Sequence, residues 1–218
     1  MIGMLTALMT VLSASPSSDT GGGEPIEVPP PAQVYLDPDT SARVTIAVDL
    51  FDARAIRELN RRIAREPKQL GLYTARGHAY GFAGNRAAME KDFEQAFALA
   101  GSDPAQQRHV LWCQGWAYYG LGDARAALTS FTSATQLHGG APFWVPYTYA
   151  VALWRLDRRQ EALRYWDAAA RSAPHRWGNA KSVQRWTRRW PAGNQAEVVA
   201  LFEAWKIAHG TPPEPHPH

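Results

Sequence analysis

From Asp52 to Pro174 the apolar positions recur at intervals of three and four residues, the spacing that gathers them on one face of an α-helix. Ile56, Leu59 and Ile63 open the pattern, Asp52 stands where a cap is wanted, and Pro67 stops the run. Further segments of about 12 to 16 residues follow, divided at Gly84-Asn85, Gly101 to Pro104, Gly120 to Asp123, Gly139 to Pro142, Asp157 and Pro174. Helices of this length joined by such short turns lie antiparallel to their neighbours, so the pattern predicts an all-α chain. Only Val44 to Phe51 alternates with a strand's period, and no second strand exists to pair with it. Extended coil or a helix lead-in is expected there.

The helical segments repeat. Tyr73-x-x-Arg76-Gly77-x-x-Tyr80 is followed by Met89-x-x-x-Phe93, and Leu111-x-x-Gln114-Gly115-x-x-Tyr118 by Ala127-x-x-x-Phe131. Pro146-x-x-Tyr149-Ala150-x-x-Leu153 is followed by Ala162-x-x-x-Trp166 and Pro174, and the units are offset by 38 and then 35 residues. This resembles the tetratricopeptide repeat, a helix-turn-helix unit of about 34 residues with the pattern W-x2-L-G-x2-Y, A-x3-F, P. Ala55, Leu59 and Pro67 keep the spacing of Ala162, Trp166 and Pro174, as an upstream half unit would. Arg76 and Gln114 depart from the leucine of the pattern, and Met89 from its alanine. The resemblance implies an α-solenoid of antiparallel helix pairs: a half unit over 43–68, three units over 69–174, and capping helices over 175–209. In it, Gly77, Gly115 and Ala150 admit a close helix crossing, and the aromatic residues fill the space between units.

The ends of the chain differ from this body. Met1 to Ala14 is uncharged and mostly apolar and leads into small residues, which resembles a secretory signal peptide without the usual Lys or Arg. The resemblance implies cleavage near Ser13 or Ala14 and a periplasmic or secreted protein; a wrongly chosen start codon or a short buried helix would read the same way. Residues 15–42, rich in Ser, Gly and Pro, read as a disordered linker, with Pro29-Pro30-Pro31 favouring polyproline II. Residues 210–218 form a Pro/His tail. No run approaches the roughly 20 apolar residues that a membrane-crossing helix needs, so no transmembrane span is expected in the mature chain.

Composition narrows the function. With 45% apolar residues in a chain of 218, a sizeable core can form, which excludes a wholly disordered protein. The net charge is only +3, but residues 1–42 hold five acids and no base, so the body is basic. Between Arg155 and Trp190 ten basic residues face three acidic ones. The single cysteine, Cys113, can form no internal disulfide and sits in no metal-ligand or nucleophile signature. Phosphate-binding Gly-rich loops, a Gly-x-Ser-x-Gly elbow and a His-Glu-x-x-His pair are all absent, so neither enzyme activity nor a cofactor or metal is expected.

A binding role remains. The resemblance implies that the first helix of each unit lines a concave surface on which partner peptides lie. The positions beside the core stripe are His78 and Phe82, then Trp112, Trp116 and Tyr119, then Trp144, Tyr147, Trp154 and Arg155. In Val110 to Leu121 the apolar residues surround the helix, so it is either sandwiched within the stack or forms an aromatic groove. Arg155 at the rim of such a groove suits a carboxylate of a protein or peptide partner. The alternative is an anionic polymer, nucleic acid or envelope glycan, held by the Arg- and Trp-rich region from Arg155 to Arg189; no nucleic-acid module is recognisable.

Overall fold

The computed structural model describes residues 24, 26–42, 46–52 and 54–210. The 1–14 segment with its expected cleavage site, Val44, and tail residues 211–218 lie outside the described residues. Among the described residues the chain is all-helical, with ten α-helices, one 3-10 turn at Thr40–Ala42 and no strand beyond an isolated bridge between Asp37 and Pro142. The helices are α1 (Ala55–Arg65), α2 (Leu70–Phe82), α3 (Arg86–Ala100), α4 (Pro104–Gly120) and α5 (Ala124–His138). They continue as α6 (Val145–Arg155), α7 (Arg159–Ser172), α8 (Pro174–Trp177), α9 (Ala180–Thr187) and α10 (Ala192–His209).

Local chemistry sets the boundaries. Asn85, Asp103 and Asp123 each accept a hydrogen bond from a backbone amide of the first turn that follows, and Pro104 adds a residue preset for the start of α4. Gly84 and Gly122, at φ +77° and +84°, supply the left-handed turns that reverse the chain after α2 and α4. Neighbouring helices then pack as hairpins: α2 on α3, α4 on α5 and α6 on α7. Residues 46–52 form turns and bends, with Ile46, Val48 and Leu50 lying on Leu59 and Leu72.

The hairpins close through small residues. A Cβ on Gly77 would stand 2.9 Å from the Phe93 ring, one on Gly115 would overlap the Phe131 ring, and Ala150 and Trp166 are fully buried. One residue before each of these positions the two helices are clasped differently. Arg76 binds Asp92 through two hydrogen bonds of 2.7 and 2.6 Å, Gln114 accepts from Ser130 at 3.2 Å, and the rings of Tyr149 and Tyr165 lie 5.0 Å apart. Arg76 and Gln114 thus each have a matched polar partner on the facing helix of their hairpin.

Spacing between hairpins is unequal. The backbone of α2 approaches that of α4 closely, because Gly81 lies directly against Ala117. Between α4 and α6 rings intervene: Trp116 and Tyr147 stack at 6.2 Å, and these two helices make almost no close backbone approach.

Of the segment read as a disordered linker, the described residues from Ile26 to Asp39 are docked on the helices. The Ile26 carbonyl accepts from Arg158 at 2.6 Å, and that of Pro29 from the Tyr165 hydroxyl at 2.5 Å. The Tyr35 amide donates to Ser172 at 2.9 Å, and Phe143 N–H donates to the Asp37 carbonyl at 2.9 Å. An extended proline-rich chain has no internal partners for its carbonyls; here Arg158, just before α7, Tyr165 on α7 and the Phe143 N–H supply three of them.

Two glycines should respond oppositely to alanine. A Cβ on Gly81 would sit 2.5 Å from the Ala117 carbonyl oxygen, whereas one on Gly193, inside α10, meets nothing within 4 Å. Gly81→Ala should lower stability by about 1–3 kcal/mol, and Gly193→Ala should raise it by about 0.4–1 kcal/mol. Urea unfolding of the two variants beside the parent checks both signs.

Candidate functional site

The aromatic stripe of α4 and α6 is where the fold concentrates its rings, and much of it is covered by the chain itself. Trp116 and Tyr119 are buried beneath Trp190, whose ring centre lies 5.1 and 6.5 Å from theirs. Tyr147 stacks on Trp177 at 4.9 Å, and Phe51 covers His78 and Phe82 at 6.2 and 5.0 Å. Trp144 is buried and donates its indole N–H to Asp39 at 3.0 Å. Trp154 is half-buried, with the Arg159 guanidinium 3.8 Å from the centre of its ring. The α4 helix is sandwiched over its C-terminal half, one of the two readings its all-round apolar sequence left open, and most of the aromatic wall is occupied.

Arg155 shows what occupies it. Its guanidinium lies 3.7 Å from the centre of the Tyr119 ring and binds Glu197 of α10 at 2.5 and 2.9 Å, as well as the Tyr119 carbonyl. The carboxylate that Arg155 suits is therefore supplied in cis, and Tyr119 donates its hydroxyl to the same Glu197 at 3.0 Å. The pairing of a ring-stacked cation with a carboxylate recurs: Arg76 over Tyr73 with Asp92, Arg86 over Tyr118 with Asp123, and Arg159 with Asp157.

One part of the stripe stays open. Between the N-terminal ends of α4 and α6 lies a cavity of about 210 Å³, lined by Trp112, Phe143 and Trp144 with Pro38, Ala42, Asp39, Arg108 and His109. It brings together Trp112 and Trp144 from the sequence-predicted set and leaves His78, Phe82, Trp154 and Arg155 elsewhere. Asp39 and Arg108 brace its wall with a bidentate pair of 2.9 and 2.7 Å, both side chains more than nine-tenths buried. Burial opposes the charge on Asp39, but the hydrogen bonds from Arg108 and Trp144 outweigh it and hold the carboxyl below its usual range. The Trp112 indole N–H is buried without a partner.

Below the cavity, His109 Nε2 lies 3.3 Å from Thr74 Oγ1 and 3.5 Å from Cys113 Sγ. Burial lowers the imidazole to about 4 and lifts the thiol to about 12, so both are neutral near pH 7. A neutral buried thiol is a poor nucleophile, and Cys113 acts as an apolar filler.

Sequence reasoning missed Asp39, Arg108, His109 and Phe143. Arg108 had a visible signal, standing four residues before Trp112 and eight before Trp116 on the same helical stripe. Asp39 had none, because its partner is 69 residues away. No family model, no curated protein and no solved structure matches this chain. Among the described residues no helix is long and apolar enough to cross a membrane.

The buried histidines predict a pH dependence. Burial also lowers His78 to about 4, with its Nε2 unpartnered. Since the unfolded chain takes up these protons near 6.5, stability is full above that pH and falls as acid is added toward 4. Each histidine should remove about 2 kcal/mol between about pH 7 and about pH 5. Urea midpoints across that range should drop, and His78→Phe should remove about half of the histidine-linked fall.

Proposed function

We propose that this chain is a non-catalytic protein-interaction module of tetratricopeptide type, in which stacked helix hairpins hold a partner segment at the aromatic cavity between α4 and α6. The repeat offsets, the glycine-on-aromatic crossings at Gly77 and Gly115 and the matched clasps one residue earlier support the repeat reading. The observation that carries the binding reading is the cavity itself. It is a largely apolar recess braced by the buried Asp39–Arg108 pair. A closed apolar cavity of about 150 Å³ holds a benzene, so this recess suits one aromatic or branched side chain. The scaffold already holds extended chain in this manner, since residues 26–39 lie on α7 and α4 through side chain-to-backbone hydrogen bonds and one buried ion pair. An exported location follows from the signal-like first 14 residues and belongs to the same proposal.

Capped pentapeptides carrying a central Phe, Leu or Gly test the cavity, with tryptophan fluorescence and calorimetry as readouts. Phe and Leu peptides should bind saturably and the Gly peptide should not. Ala42→Phe, which places a ring in the cavity mouth, should weaken binding at least about tenfold, or 1.4 kcal/mol, with helicity unchanged. Equal binding of all three peptides, or no effect of Ala42→Phe, would overturn the reading.

A further inference from the structure

Among the ring-stacked arginines one lacks its carboxylate. Arg176 lies 4.5 Å from the centre of the Trp186 ring, and no acidic side chain among the described residues comes within ion-pair distance of it. Its surroundings repeat the imbalance. From His175 to Trp190 there are five Arg and Lys residues and no acid, and among the described residues the only carboxylate paired with them is Asp49, 3.0 Å from Arg189. Trp186 is 45% exposed although the neighbouring Trp177 is buried. Beside it opens a shallow cleft of about 390 Å³, lined by Arg185, Arg188 and Arg189 with Trp190 and Phe51. Trp190 and Phe51 are the rings that cover the α4 and α2 parts of the aromatic wall, so the cleft lies where the two covering segments meet.

We propose that this face binds an acidic peptide segment, with one carboxylate seated on Arg176 above Trp186 and others on Arg185 and Arg188. The inference rests on the reading of the chain as a peptide-binding module and names the chemistry of its partner. Arg155 supplies the precedent within the molecule: a guanidinium ordered by an aromatic ring presents a fixed fork to a carboxylate, and there Glu197 fills it. A nucleic-acid strand fits less well, because one face of the Trp186 ring already carries Arg176 and is closed to base stacking.

The test uses the full chain and a fluorescein-labelled peptide of alternating glutamate and glycine, followed by anisotropy. Saturable binding should weaken with added salt, fall about tenfold in Arg176→Gln and in the Arg185→Gln, Arg188→Gln double variant, and vanish for the glutamine-glycine peptide. Arg61→Gln, an exposed arginine on α1 that pairs with Glu58 and does not line the cleft, should bind as the parent does. Equal binding of the glutamine peptide would overturn the inference, as would tighter binding of an oligothymidylate of equal charge, which would assign the face to nucleic acid. Absence of acidic-peptide binding by the parent chain, while the Phe peptide still enters its α4–α6 cavity, would sink this inference alone.

Discussion

Helices can approach one another only as closely as the side chains between them allow, and this chain uses that constraint in two opposite ways. Where Gly77 faces Phe93 and Gly115 faces Phe131, no room remains for a Cβ, so a ring from one helix lies on the bare backbone of the other. Where Gly81 meets Ala117, the backbones of α2 and α4 themselves touch. Across α4 and α6 no small residue plays this part. Trp116 and Tyr147 stand between these two helices and hold them apart, while the third hairpin packs on the second through α5 and α6.

That separation exposes a wall of large aromatic side chains, each worth about 1.5–3 kcal/mol when removed from water. The chain buries most of it with its own ends. Phe51 comes from the N-terminal side, Trp177 and Trp190 from the C-terminal side, and Glu197 answers Arg155. The recess at Trp112 is where this covering stops short. Its wall is stiffened by the Asp39–Arg108 pair, whose charges are stable in the interior only because Trp144 and Ser41 complete their hydrogen bonds. The stacked arginines carry the same logic to the surface, each ring ordering a cation and each cation holding an acid, up to Arg176.

The all-helical architecture, the breakers between helices and the small residues at the hairpin crossings were legible in the sequence, because each depends on contacts a few residues away or on a spacing that recurs. The capping residues Asn85, Asp103 and Asp123 and the closing glycines belong to the same local chemistry. The aromatic positions were legible as a stripe. Whether that stripe would be a wall or an interior was not, since α4 looks the same from sequence whether water or Trp190 lies against it.

Tertiary structure decided the rest. The proline-rich segment of 26–42 reads as a linker because polyproline chain satisfies nothing internally, yet Arg158 and Tyr165 bind its carbonyls from more than 130 residues away. Asp39 finds Arg108 across 69 residues, and Arg155 finds Glu197 across 42. Periodicity reports which face of a helix is apolar; it carries no information about which distant segment will cover that face. The sequence by itself therefore determined the helices and their pairing into hairpins, and only the assembled fold determined which rings were left open and which cation was left without an acid.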